Sequence, residues 1–261
     1  MSRITVPVLS KEGEASGEVE LPKVFEAPFR PDVIKRAVIA AQSHRFQPQG
    51  RDPIAGKRTT AESMGTGFGI ARIARLKGGR RAAFIVGVVG GHVAFPPRAE
   101  KNIRKRMNKK EKRLAILSGI AATANREAVS KRGHVVESLK MLPLVVEDAV
   151  QELQRTREMR DFLTKVGVWQ DVLRASKTNT RPGKGKMRGR REKKRKGPLI
   201  VVAEDLGISK AAGNLPGVDV VEVKNLNTEL LAPGAHLGRL TIWARSAVSV
   251  LDELFGGEVK E

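Results

Sequence analysis

The chain has 261 residues, 40% of them hydrophobic, which suits one large domain or two small ones with a real core. It carries a formal charge of +21, a pI of about 10.7, no cysteine, no tyrosine and only 4% aromatic residues. These figures exclude disulfides and thiolate metal sites, require an aliphatic core, and give a surface that repels itself and attracts polyanions.

No apolar run reaches the roughly 18–20 residues needed to span a bilayer. The N-terminal MSRITVPVLSKEGEA lacks the apolar stretch of a secretory signal. The expectation is a cytoplasmic protein bound to nucleic acid. In chain order, RITVPV (3–8) and GEVEL (17–21) predict two short strands joined as a hairpin by the turn-rich SKEGEASG. Pro31-Asp32 opens a helix whose apolar stripe (Val33, Ile34, Ala37, Val38, Ala41) runs to about His44.

Regularity then stops. Residues 46–100 are rich in glycine, proline and cations, with AAFIVGVV (82–89) as the one plausible extended piece. So long an irregular insertion in a compact domain is usually functional or disordered. Taken as a two-limbed arm, residues 46–98 reach roughly 80 Å at most, beyond the roughly 18 Å radius of gyration expected for a chain of this length.

Helical spacing resumes near Lys109 (Leu114, Leu117, Ala121, Ala124, Ala128). LPLVV (142–146) is a buried-type strand. Helical patterns follow over Glu147–Leu153, Thr156–Val166 and Trp169–Ala175. A second basic segment, RPGKGKMRGRREKKRKG (181–197), interrupts again. The strands PLIVVA (198–203), VDVVEV (218–223) and RLTIWA (239–244) alternate with a helix at Leu206–Asn214, and Arg245–Phe255 closes amphipathically. Four apolar strands between helices predict an α/β body with a four-stranded, mainly parallel sheet.

The charge is concentrated. Residues 45–110 hold 16 Lys/Arg against three acids, and residues 176–197 hold 11 against one. Those segments net +13 and +10, which leaves −2 for everything else in a chain of +21. A near-neutral body (1–45 and 101–261) therefore carries an extended loop (46–100) and a basic loop (176–197), each expected to meet RNA. In the first, Arg72, Arg75, Lys77, Arg80 and Arg81 lie among glycines that permit close backbone approach. Arginine's planar fork fits phosphate and stacks on bases. The expected RNA contacts are Arg45, Arg51, Lys57, Arg58, Arg72, Arg75, Lys77, Arg80, Arg81, His92 and Arg98 in the long loop. In the basic loop they are Lys184, Lys186, Arg188, Arg190 and Arg191.

Other chemistry is weakly supported. GTGFGIA (65–71) follows no apolar strand and GRDPIAGKR (50–58) misses the phosphate-loop spacing, so no cofactor is expected. Histidines 44, 92, 134 and 236 are scattered and read as surface or capping residues, with no metal site. Glu204-Asp205, after a strand, reads as a helix start rather than a catalytic pair. Trp169 and Trp243 read as core. No catalytic residue stands out. A Rossmann-like RNA-modifying enzyme would need a glycine-rich turn at a strand end, and a general DNA-compacting protein would bind duplex DNA as well as RNA.

GKRTTAESMGTGFGIARIARLKGGRRAAFIVGVVGGHVAFPP closely resembles the internal loop of the fourth protein of the large ribosomal subunit, in its archaeal and eukaryotic form. The likeness continues at NKKEKRLAILSGIAATANRE, LPLVVED, SKTNTRPGKGKMRGR and VKNLNTELLAPGAHLGRLTIWARSAV. Phe95 stands where related sequences often have His. The resemblance implies a three-layer α/β body on the solvent side and binding to large-subunit rRNA. It also implies a loop whose tip (Gly69, Ile70, Ala71, Arg72, Ile73, Ala74, Arg75, Leu76, Lys77, Gly78) lines the nascent-peptide exit tunnel. Neighbouring ribosomal proteins and the passing nascent peptide are the implied further partners.

Overall fold

A computed structural model describes residues 4–255. They divide into two compact units. Gln42–Lys105 forms one, and the described residues up to Ala41 and from Arg106 form the other.

The expected hairpin forms as β1 (Thr5–Leu9) and β2 (Ala15–Glu20), antiparallel with Val6 opposite Val19. α1 (Pro31–Ser43) opens on a proline with no amide hydrogen to lose and buries Val33, Ile34, Ala37 and Val38. In the 42–105 unit, β3 (Glu62–Ser63) pairs with β4 (Ala74–Arg75). The expected extended piece at 82–89 is not a strand: Ala82 alone makes a bridge, to Arg75, and turns follow. Val86 and Val89 are exposed, so no burial rewards extension there.

The helix expected from Lys109 through Ala128 is two: α2 (Lys109–Ala124) and α3 (Arg126–Lys131). Asn125 divides them, its side-chain oxygen accepting from the amides of Glu127 (2.9 Å) and Ala128 (3.2 Å). Asparagine is a poor interior helix residue and a strong cap. β5 (Leu144–Val146) leads to a 3-10 turn at Asp148–Glu152, then α4 (Thr156–Lys165) and α5 (Trp169–Ser176). The basic loop is not structureless, for it contains the ladder β6 (Asn179–Thr180) and β7 (Glu192–Lys193). β8 (Leu199–Val202), α6 (Ile208–Ala212), β9 (Asp219–Glu222), α7 (Thr228–Leu231), β10 (Thr241–Ala244) and α8 (Arg245–Phe255) complete the larger unit.

Among the described residues its sheet has six strands rather than four, in the order β2-β1-β5-β10-β8-β9. All neighbours are parallel except the β1–β2 pair. The extra strands come from the hairpin, which docks Val8 beside Val145. Val6 and Val8, two residues apart on one face, are both buried, and the docking satisfies an edge that β5 would otherwise leave open.

Every residue of β8 (LIVV) and β10 (TIWA) is buried. Since successive side chains point to opposite faces, the sheet is covered on both. Trp243 is fully buried, edge-on to Phe25 at 5.5 Å. Trp169, expected in the core, is only partly buried, under the Arg160 guanidinium at 5.1 Å from the ring centroid. An indole lying at the surface can bind a cation through its face.

Parallel strands put all their carboxyl ends on one edge of the sheet. There Asp148 Oδ1 accepts from the Ser246 amide (2.9 Å) and Gln151 Nε2 (2.8 Å), and Gln151 Oε1 accepts from the Glu204 amide (3.2 Å). Asp205 accepts from the amides of Gly207 and Ser209 and caps α6. The Ser209 side chain first, with those amides after it, holds its carboxyl below the usual range. This edge, where α/β proteins commonly place ligands, is occupied by groups that satisfy one another.

Candidate nucleic-acid interface

The 42–105 unit has two limbs that run side by side. Lys105 donates its amide to Ser43 Oγ (2.9 Å) and Arg51 donates its amide to the Pro97 carbonyl (3.2 Å). Gly50 lies against Ala99, and Gly56 against Gly91 and His92. A Cβ on Gly56 would fall 2.5 Å from the Gly91 carbonyl carbon, and its φ is +78°. Only glycine lets the limbs approach there. As numbering rises along one limb it falls along the other, so this is an antiparallel stem. Farther along, Leu76 donates its amide to Arg81 O (3.1 Å) and Ala83 to Ala74 O (3.0 Å), closing a second, tighter hairpin.

The stem and hairpin hold the expected contacts in distinct environments. Arg51, Lys57, Arg72, Arg80, Arg81 and Arg98 are exposed and meet no carboxylate among the described residues. Arg58 pairs with Asp52 (2.6 Å) and Lys77 with Glu62 (3.7 Å). Arg75 is half-buried and its guanidinium braces the hairpin through the Arg80 carbonyl. His92 Nδ1 lies on the Phe84 carbonyl, with the two rings 5.4 Å apart. Arg45 is exposed near the base of the stem. Of the expected tip, Gly69–Arg72 and Lys77–Gly78 are exposed, whereas Ile73–Leu76 are half-buried around β4.

The basic loop is a second hairpin. β6 and β7 pair Thr180 with Glu192, and beyond them Arg181 donates its amide to Arg191 O (2.7 Å). A 3-10 turn at Gly183–Arg188 ends on Gly189, whose φ of +75° reverses the chain. The Arg181 side chain donates to Arg190 O (3.0 Å) and braces the fold. Lys184, Lys186, Arg188, Arg190 and Arg191 are exposed with no carboxylate partner among the described residues.

This hairpin enters and leaves at the amino-terminal edge of the sheet, where one buried and one half-buried arginine fix its root. Arg239 is fully buried and donates to the carbonyls of Gly197 (2.9 Å) and Leu230 (2.9 Å) and to Asp219 (2.6 Å). Arg174 donates to both oxygens of fully buried Asp171 (2.8 and 3.3 Å) and to the Lys196 carbonyl (2.7 Å). Asp171 also accepts from His134 Nδ1 (2.8 Å) and the Val135 amide (3.0 Å). Burial alone would raise the Asp171 carboxyl, but the bonds from His134 and Arg174 outweigh it and hold it below the ordinary range. Burial keeps His134 below its usual value despite Asp171. The network is therefore neutral histidine, aspartate and arginine, and His134 is a buried framework residue, not the surface or capping residue expected.

A third cationic element is the start of α2. Lys109, Lys110 and Lys112 are exposed in a first turn that has Glu111 as its acid, itself bonded to Arg36 (3.2 Å). Cations at a helix N-terminus oppose the helix dipole, so they do not serve the helix. Sequence reasoning missed Arg239, Arg174, Asp171 and His134. A lone arginine opening an apolar strand, RLTIWA, was the available signal for the first. The others are joined by tertiary contact alone.

An α/β body whose carboxyl edge is closed, with cations displayed on two hairpins, is the class of protein suited to a polyanionic partner. The Ribosomal protein L4/L1 family model matches residues 19–254, and the chain belongs to that family. It is 51% identical over 251 residues to the large ribosomal subunit protein uL4 of Methanosphaera stadtmanae, covering 96% of this chain and 97% of that one. The uL4 proteins of Methanopyrus kandleri (52% over 256 residues, 96% and 98% covered) and Archaeoglobus fulgidus (51% over 247, 94% and 97%) are similarly alike.

Proposed function

We propose that this large-subunit ribosomal protein binds large-subunit rRNA through its two hairpins and lines the nascent-peptide exit tunnel with Gly69–Gly78. Its family and relatives make it a structural constituent of the large ribosomal subunit, in the cytoplasm, and not an enzyme. The reading assigns 1–45 and 101–261 to the body, 46–100 to an rRNA-penetrating loop and 176–197 to a second rRNA contact. The carrying observation is that eleven of the sixteen expected contact residues are exposed cations facing no carboxylate among the described residues. Such cations replace counterions between packed RNA segments, and the released ions drive association. Neighbouring ribosomal proteins and the nascent peptide are the further partners on this reading.

The test is binding of the purified chain to large-subunit rRNA at moderate ionic strength, with duplex DNA as competitor. Preference for the rRNA is expected; equal competition by DNA would overturn the assignment in favour of general DNA compaction. Deleting Gly69–Arg81 should leave the body folded and docked but alter the tunnel. Unfolding of the isolated protein by that deletion would refute the separation of arm from body.

A further inference from the structure

The larger unit holds a pocket that neither hairpin tip uses. It has a volume of about 740 Å³ and lies between the end of α3, the root of the basic hairpin and the segment before β10. Lys131, Arg132, His134, Arg174, Arg195 and Lys196 line it, with His236 at its side, and no carboxylate does. The nearest acids cover part of that charge: Asp171 is bonded to Arg174, and Asp219 to Lys196 at 3.0 Å. Lys131, Arg132 and Arg195 have no acidic partner among the described residues.

Arg132 is the informative member. It is partly buried, and its guanidinium donates only to backbone carbonyls, those of Pro233 (3.0 Å) and His236. Burial first, then the nearby Arg239 and Arg174, pulls its pKa down to about 10. The end of a short helix favours one cation, which accounts for one of these groups and not for five. Like charges gathered in a concave, partly desolvated place repel one another unless an anion joins them. Several N–H donors remain unused, since Arg132 spends two of its five and Lys131 and Arg195 spend none.

We infer that this pocket takes one backbone phosphate of RNA, as a third contact on the body beside the root of the basic hairpin. The inference rests on the rRNA-binding reading and adds a site to it. A phosphodiester oxygen pair matches the arginine fork, and the lysines act as point charges around it.

Lys131 and Arg195 are exposed and bonded to no described group, so Lys131→Gln with Arg195→Gln tests the site without disturbing the fold. Salt-dependent binding of the full-length variant to large-subunit rRNA should show a slope in log K against log salt lower by about 0.7–0.9. Arg132→Gln should act the same way, with urea unfolding as a control for its two carbonyl bonds. Titration of the free protein with inorganic phosphate, followed through the His134 and His236 ring resonances, should shift the wild type and not the double variant. If the slope is unchanged while Arg188→Ala, Arg190→Ala and Arg191→Ala lower it, the pocket assignment falls and the hairpin reading stands. If no variant lowers it, the rRNA-binding reading fails too. A phosphate response with an unchanged slope would make the pocket a free-anion site and overturn the RNA assignment.

Discussion

Replacing Arg188, Arg190 and Arg191 together by alanine tests whether the basic hairpin neutralises phosphate. The structure isolates the effect. All three side chains are exposed, and the hairpin is held by backbone bonds (Arg181 to Arg191, Arg190 to Gly185) and by the Arg181 guanidinium on the Arg190 carbonyl. Truncation therefore removes charge without removing the scaffold. If each arginine meets one phosphate, the salt slope falls by about 2–2.7 in total. At 0.15 M salt each lost contact costs roughly 0.6–0.7 log units, so affinity drops roughly 50- to 150-fold. Extrapolated to 1 M salt, the difference should nearly vanish. Filter binding to large-subunit rRNA across a salt series measures both quantities. Parallel lines, with affinity reduced equally at every salt, would refute counterion release and point to packing or misfolding instead. Arg181→Ala is the contrast, because it loosens the hairpin and should weaken binding beyond its single charge.

Other outcomes follow from the framework. Arg239→Met leaves Asp219 and several carbonyls short of a partner. It should cost about 3–5 kcal/mol, a fall in Tm of roughly 6–20 °C by calorimetry; a change under about 1 kcal/mol would contradict a structural role for that buried arginine. Gly56→Ala forces a Cβ onto the Gly91 backbone from a left-handed conformation. Trypsin should then cut faster at Arg51, Lys57 and Arg58 with the larger unit unaffected, and an unchanged digest would contradict the paired stem. His134 and Asp171 give a pH signature, since both folded pKa values are depressed. The contribution from His134 is full above the free value of roughly 6.5 and is lost as pH falls below it. That from Asp171 is full above roughly 3.9 and lost on further acidification. Urea midpoints between pH 8 and 5 should decline in the wild type and decline less in His134→Gln; equal declines would mean that His134 does not stay neutral.

Much of the larger unit was legible because burial writes itself into periodicity. LIVV is a continuous apolar run and TIWA is apolar after its threonine, and those strands are buried on both faces. The alternation of Val6 and Val8 marked a strand but not its neighbour, so the count of four missed the docking of β1 beside β5. Asn125 was readable as a cap only in hindsight, because alanines on either side sustain helical spacing across it. In the two cationic segments, composition announced exposed arginines and lysines but not the backbone bonds that fold them. Those bonds involve backbone carbonyls and amides that carry no residue-specific signal. The His134–Asp171–Arg174 network joins positions 37 and 40 apart in sequence, and no local pattern signals such a meeting.

The two limbs between Gly50 and Ala99 behave as a ruler. Because they are matched in opposite directions, removing one residue from a single limb must slip the match and swing the far hairpin sideways. Removing opposed residues from both should instead draw it back by at most about 3.3 Å per pair. Residues inside the turn change what the hairpin displays, whereas stem residues set the length of the stem itself. Stem length and tip chemistry are thus separable properties of this unit.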